Sequence, residues 1–252
     1  MNDSQTNFDY LDVLLDEEKK KELRDKTCSA FAIPSHGVVL FFDVNNYPKS
    51  PENSIWRSKA FYKNIKKDGL LGQKPPQINN IINEIANILQ NYSHLIWISR
   101  RAWDTSDIEF VWYLSHELQH LTRDRVNHKL PSGGEFLQRN RNLPGMNIDE
   151  SALQTTIPTE MDAYLASWRT VQRLLGKEKA NKYILQNTQN GELKASFQTL
   201  QNHGLEQEYD VYSETINILQ KHQSKLDEII KDNKVLYRNI SSIDSLISNL
   251  KS

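Results

Sequence analysis

Apolar positions recur along this chain in two rhythms. Short continuous runs, "HGVVLFFDV" at 36–44 and "HLIWIS" at 94–99, are bounded by Gly, Pro, Asn and Ser. They are rich in β-branched and aromatic residues and predict buried strands. Helical spacing occupies most of the rest. Phe8, Leu11, Leu14, Leu15 and Leu23 predict a helix over 8–27 whose charged run "DEEKKKELRDK" forms a solvated face. Ile78, Ile81, Ile82, Ile85, Ile88 and Leu89 predict a helix opened by Pro75 and Pro76. Thr105, Ser106 and Asp107 are N-cap types ahead of "IEFVWYLSHELQHLT". The stretch "PTEMDAYLASWRTVQRLLG", 158–176, has Pro in front and Gly behind, as a helix does. A further helix runs toward Gly191, and from about 206 onward nearly every segment is helical, with a turn inside "KDNKVLYRNISS".

These elements predict an α+β, mostly helical protein with a small sheet against the 106–123 helix. A body over residues 1–200 is followed by a helical C-terminal extension, 201–252. Its stripes lack a strict heptad, so packing on the body is favoured over a free partner-binding hairpin. Breakers at Gly69–Pro76, the loop "NNYPKSPENS" at 45–54 and a long irregular segment at 126–157 separate the elements.

Composition narrows the function. The chain has 252 residues, 38% hydrophobic and 25% charged, with a formal net charge of −1. A near-neutral balance argues against a dedicated nucleic-acid or anionic-membrane binder. Cys28 is the only cysteine, so no internal disulfide can form, which suits a reducing compartment. The opening residues lack a basic stretch followed by an apolar one, and no run is long enough to span a bilayer. A cytoplasmic protein is the expectation.

The chemistry concentrates in His116-Glu117-Leu118-Gln119-His120. Histidines at i and i+4 project from one helix face, so both imidazoles can reach one Zn²⁺. Glu117, about 100° round the helix, is displaced from that stripe and can take a proton from a metal-activated water. Val111, Leu114, Leu118 and Leu121 define the core stripe. The histidines fall nearly opposite it, with Trp112 and Tyr113 beside them, as on a helix that lines a cleft.

A catalytic zinc site needs a third protein ligand. The candidates are Glu160, Asp162, Glu150, Asp149 and His128. Glu160 stands first, because it shares the apolar side of its helix with Tyr164, Trp168 and Val171, where a carboxylate is costly unless partnered. Asp162 lies on the far side with Arg169 and Arg173, where a solvated ion pair accounts for it. An oxyanion donor is also required; Tyr164 is the foremost candidate, beside Tyr113, Tyr183 and His203.

"FVWYLSHELQHL", followed forty residues after His120 by "TEMDAYLAS", resembles the ImmA/IrrE group of gluzincin metallopeptidases over about residues 94–176. That group sets an HExxH helix directly after a short strand and has a second motif of the form E-x-E-A-x-x-F-A. The resemblance implies His116, His120 and Glu160 as zinc ligands and Glu117 as general base. It also implies cleavage of one specific protein, such as a regulatory protein. The chain departs from the group at Gln119, where Gly is usual, and at Asp124, where many members have His. Asp124, one turn beyond His120, is placed to orient that ring.

The expected reaction is therefore hydrolysis of a peptide bond, with strand 94–99 offering an edge for an extended substrate and the 126–157 segment as a gate. Two other readings compete. One is a zinc-stabilised binding module whose helical tail recruits a partner. The other rests on "VVLFFDVNNY", which resembles the opening of NYN/PIN-type nucleases, with Asp43 as a metal ligand; no basic stripe accompanies it.

Overall fold

A computed structural model describes residues 9–12, 18–31, 38–42, 59–65, 91–103, 105–126, 133, 136–137, 157–189, 194–234, 237 and 239–251. The expected loop at 45–54, the breaker cluster at Gly69–Pro76 and the helix at Ile78–Leu89 lie outside the described residues. The protein is α+β and mostly helical. Its contacts divide it into two compact units, residues 1–122 with 169–180, and residues 123–168 with 181–252.

The first unit contains a four-stranded sheet: β1 (Asp9–Asp12), β2 (Val38–Phe42), β3 (Ala60–Asn64) and β4 (His94–Ile98), in the order β1-β2-β4-β3. β1 and β4 flank β2 in parallel, with Tyr10 opposite Leu40 and Leu40 opposite Ile96. β3 runs antiparallel to β4, placing Phe61 opposite Trp97, and these two rings stack at 5.9 Å. Every residue of β4 is buried. An unbroken apolar run is the signature of a strand covered on both faces.

Three expectations change here. The segment around Leu11 forms strand β1, and the helix α1 (Glu18–Ser29) begins only after it. Four residues carry little propensity of their own, and pairing with β2 decides them. Strand 94–99 offers no free edge, because β4 is paired on both sides. The charged face of α1 is not wholly solvated: Lys20 and Arg24 are buried. Lys20 Nζ donates to the Thr105 carbonyl at 2.8 Å and lies over the Phe110 ring. Periodicity marks which face is polar and cannot say what covers it.

After β4 come α2 (Arg100–Trp103) and α3 (Asp107–Val126). The Ser106 hydroxyl accepts from Glu109 N–H at 3.3 Å and caps α3 as its residue type predicts. Helix α4 (Pro158–Leu175) ends at Gly176, whose φ of +100° closes the helix in the left-handed region. Helices α5 (Lys177–Gln189) and α6 (Lys194–His203) follow.

The C-terminal helices α7 (Val211–Lys221), α8 (Gln223–Asp232) and α9 (Ile243–Lys251) form part of the second unit. Leu219, Leu226, Ile243 and Leu250 pack into one core with Phe136 and Leu137 from the segment after α3. Part of the expected 126–157 gate is thus fixed in a core: Gly133, Phe136 and Leu137 are helical and buried. Asp210 caps α7, accepting from Tyr212 and Ser213 N–H at 3.1 Å each. Ser242 and Ser245 cap α9 reciprocally, and Asp227 of α8 accepts from Ile243 N–H at 2.7 Å. The expected turn separates α8 from α9.

Leu219 is fully buried, whereas Leu185 on α5 is 53% exposed. Leu219→Ala should cost about 2–5 kcal/mol in urea unfolding, and Leu185→Ala within about 0.5 kcal/mol.

Candidate metal centre

Helix α3 is buried around most of its circumference. Phe110, Val111, Trp112, Leu114, Leu118 and Leu121 are all inaccessible, so the predicted stripe is core, and Trp112 widens it. Ser115 hides its hydroxyl on the Val111 carbonyl. His116 and His120 occupy the partly open side that remains.

Their Nε2 atoms lie 3.1 Å apart, with the rings edge to face at 4.8 Å between centroids. At that distance one Nε2–H can donate to the other nitrogen. The spacing is also close to what one ion demands: two nitrogens bound at 2.0–2.1 Å to a tetrahedral zinc lie about 3.3–3.4 Å apart. Glu160, in the first turn of α4, completes the group. One ligand atom from each of His116, His120 and Glu160 falls within 4.8 Å of the others, and together they could hold a metal ion. All three are partly buried. Two imidazoles and a carboxylate form a donor set that suits a borderline-soft divalent cation.

Glu117, which directly follows His116, is 7% exposed, so its side chain is largely removed from bulk water. Asp124 is buried one turn past His120. Tyr164 is one turn beyond Glu160 on α4 and buried. Its ring meets Phe197 at 6.3 Å, and Tyr183 meets the same Phe197 at 5.8 Å. His203 packs edge to face on Tyr209, and Lys59 places its amine over Tyr113. Each of these four oxyanion candidates thus has an aromatic or cation–π partner.

Of the other ligand candidates, Glu150, Asp149 and His128 lie outside the described residues, as does Asp43. Asp162 is a correction. It does not sit on a solvated face with Arg169 and Arg173, which are both exposed. Met161 through Leu165 are all buried, and Asp162 is held by Arg123 through Nε at 2.6 Å and Nη2 at 2.8 Å. The hydrogen bond to Asp162 raises the Arg123 pKa above its ordinary value, against burial; Tyr212 and Asp210, at the start of α7, add to the rise. Arg123 was the residue that sequence reading missed. Its one visible signal was a place three residues after the second histidine.

The start of α3 is anchored electrostatically. Lys19 Nζ lies 2.6 Å from the Asp107 carboxylate and Lys20 Nζ 3.6 Å from it. The Lys19 hydrogen bond holds the Asp107 pKa below the usual carboxylate value, and a negative group in the first turn also suits the helix dipole.

Comparison of the chain with protein-family models, with characterised proteins and with solved structures found no match. The metal group is therefore carried by its own geometry. Among the described residues, no helix is long and apolar enough to cross a membrane.

Because folding lowers the Asp107 pKa, its stabilisation is present above the unfolded value and is lost as pH falls through the folded one. Asp107→Asn should lower stability at neutral pH by under about 1 kcal/mol. It should make no difference in strongly acidic solution. Urea midpoints measured across the acid range check this.

Proposed function

We propose that the protein is a zinc-dependent metallo-endopeptidase of the gluzincin type, similar to the ImmA/IrrE group, acting on a specific protein substrate. The observation that supports it most is the convergence of His116, His120 and Glu160, with Glu117, which directly follows the first histidine, buried on the same helix. Two histidines and a glutamate leave a fourth zinc position open for water, as a catalytic rather than a structural site requires.

His116, His120 and Glu160 would hold the ion. Bound there, zinc supplies a Lewis acid that acidifies water and polarises the scissile carbonyl. Glu117 would act as the general base, taking a proton from the attacking water and passing it to the leaving nitrogen. We assign Tyr164, one turn from Glu160, as the donor to the developing oxyanion, and Asp124 as the carboxylate that orients His120. The substrate is one exposed protein segment, such as part of a regulatory protein, and the reading includes no nucleic-acid or membrane partner. Cytoplasmic action agrees with the single cysteine.

Purified protein should carry close to one equivalent of zinc by elemental analysis; less than about half would count against the site. Glu117→Gln should keep the zinc and lose about 10²–10⁴-fold in cleavage rate. Proteomic comparison of cells expressing wild type and Glu117→Gln should reveal one protein cut only by the former. Biological activity that survives Glu117→Gln would favour a zinc-stabilised binding module instead. Tyr164→Phe should lower kcat by about 10²–10³-fold with zinc content unchanged.

A further inference from the structure

We infer that Arg123 and Asp162 are positioning residues of the metal centre. Their ion pair sets the first turn of α4, and with it Glu160, against the end of α3. The inference rests on the metal-centre reading above and adds to it two residues that touch no metal.

Sequence position comes first. Arg123 follows His120 by three residues, about 4.5 Å along the helix axis, and Asp162 follows Glu160 by two, about 3 Å. Each partner thus lies within one turn of a ligand, on the same rigid element. The bond between them is a fork: Nε reaches one Asp162 oxygen at 2.6 Å and Nη2 the other at 2.8 Å. Two parallel bonds fix rotation as well as distance, which a single contact cannot do. The Asp162 side chain is 8% exposed, so water competes poorly for it.

Glu160 has particular need of such a tether. It lies in the first turn of α4, where a helix has least hydrogen bonding of its own; Glu160 N–H and Met161 N–H both turn back to the Ile157 carbonyl. His116 and His120 sit in the middle of a twenty-residue helix and are placed by its core stripe. The carboxylate ligand is the member whose backbone is set least firmly from within. A ligand set must be held within about 0.5 Å to bind its ion well. Asp210, the other carboxylate that acts on Arg123, already accepts from Tyr212 N–H, Ser213 N–H and the Ser213 hydroxyl. It is committed to capping α7, which leaves Asp162 as the partner of the guanidinium.

The test uses the full chain and zinc alone, with affinity read by competition against a chelating indicator. The visible spectrum of the cobalt-loaded protein reports ligand geometry. Arg123→Met and Asp162→Asn should each weaken zinc binding about 10- to 100-fold and alter the cobalt spectrum. Arg123→Lys, which keeps the charge but loses the fork, should fall between them and wild type. Exchanging the two residues, Arg123→Asp with Asp162→Arg, should recover part of the loss. Asp227→Ala, which removes the α8–α9 link, should lower the thermal midpoint of the metal-free protein and leave zinc affinity unchanged. Should Arg123→Met, Asp162→Asn and Arg123→Lys behave like Asp227→Ala, with affinity within about twofold of wild type and an unaltered spectrum, the pair is only structural and the inference is overturned. Failure of wild type itself to bind zinc would overturn the metal-centre reading and this inference together; zinc binding that ignores Arg123 overturns the inference alone.

Discussion

A helix buried on most of its surface has few places to leave a polar side chain. Helix α3 is such a helix, and its apolar residues exclude water from nearly every side. Burial of an unpaired charge or imidazole costs several kcal/mol, so each polar group that α3 carries needs a chemical reason. Ser115 satisfies itself on its own helix, and Arg123 reaches a carboxylate. The histidines face each other across a gap close to that of two ligands of one ion.

The same constraint shapes α4. Met161 through Leu165 in its first turns are all buried, and Glu160 beside them is partly buried. Two acids two residues apart point in different directions, and each finds a different answer: Asp162 meets a guanidinium, while Glu160 joins the imidazoles. One carboxylate is paired with a guanidinium, and the other belongs to a group that could hold a metal ion.

Much of this was legible from residue spacing. The i, i+4 histidines, the stripe from Val111 to Leu121 and the apolar company of Glu160 all follow from helical periodicity, and the burial of those positions agrees. The limits of the pattern have one cause. Asp162 looked solvated because it shares a face with Arg169 and Arg173, but periodicity carries no record of Arg123, which is distant in sequence. Lys20 looked solvated within a charged run, until the Thr105 carbonyl and the Phe110 ring covered it. Strand 94–99 was recognisable as a strand, but its neighbours were not. β3 came from a short aromatic stretch without clear alternation, and its pairing turned an expected edge into the sheet interior.

Sequence alone determined local facts: the caps that open α3 and close α4, which side of α3 is apolar, and that two histidines and Glu117 share one helix. These depend on backbone geometry and on caps such as Ser106 and Gly176, which act over a few residues. Tertiary structure decided the pairings. It chose Glu160 over Asp162 for the metal group, gave Asp162 to Arg123, and enclosed Phe136 and Leu137 among the C-terminal helices. The physical reason is that electrostatic and packing energies depend on distance in space, and residues forty positions apart meet only once the chain has folded.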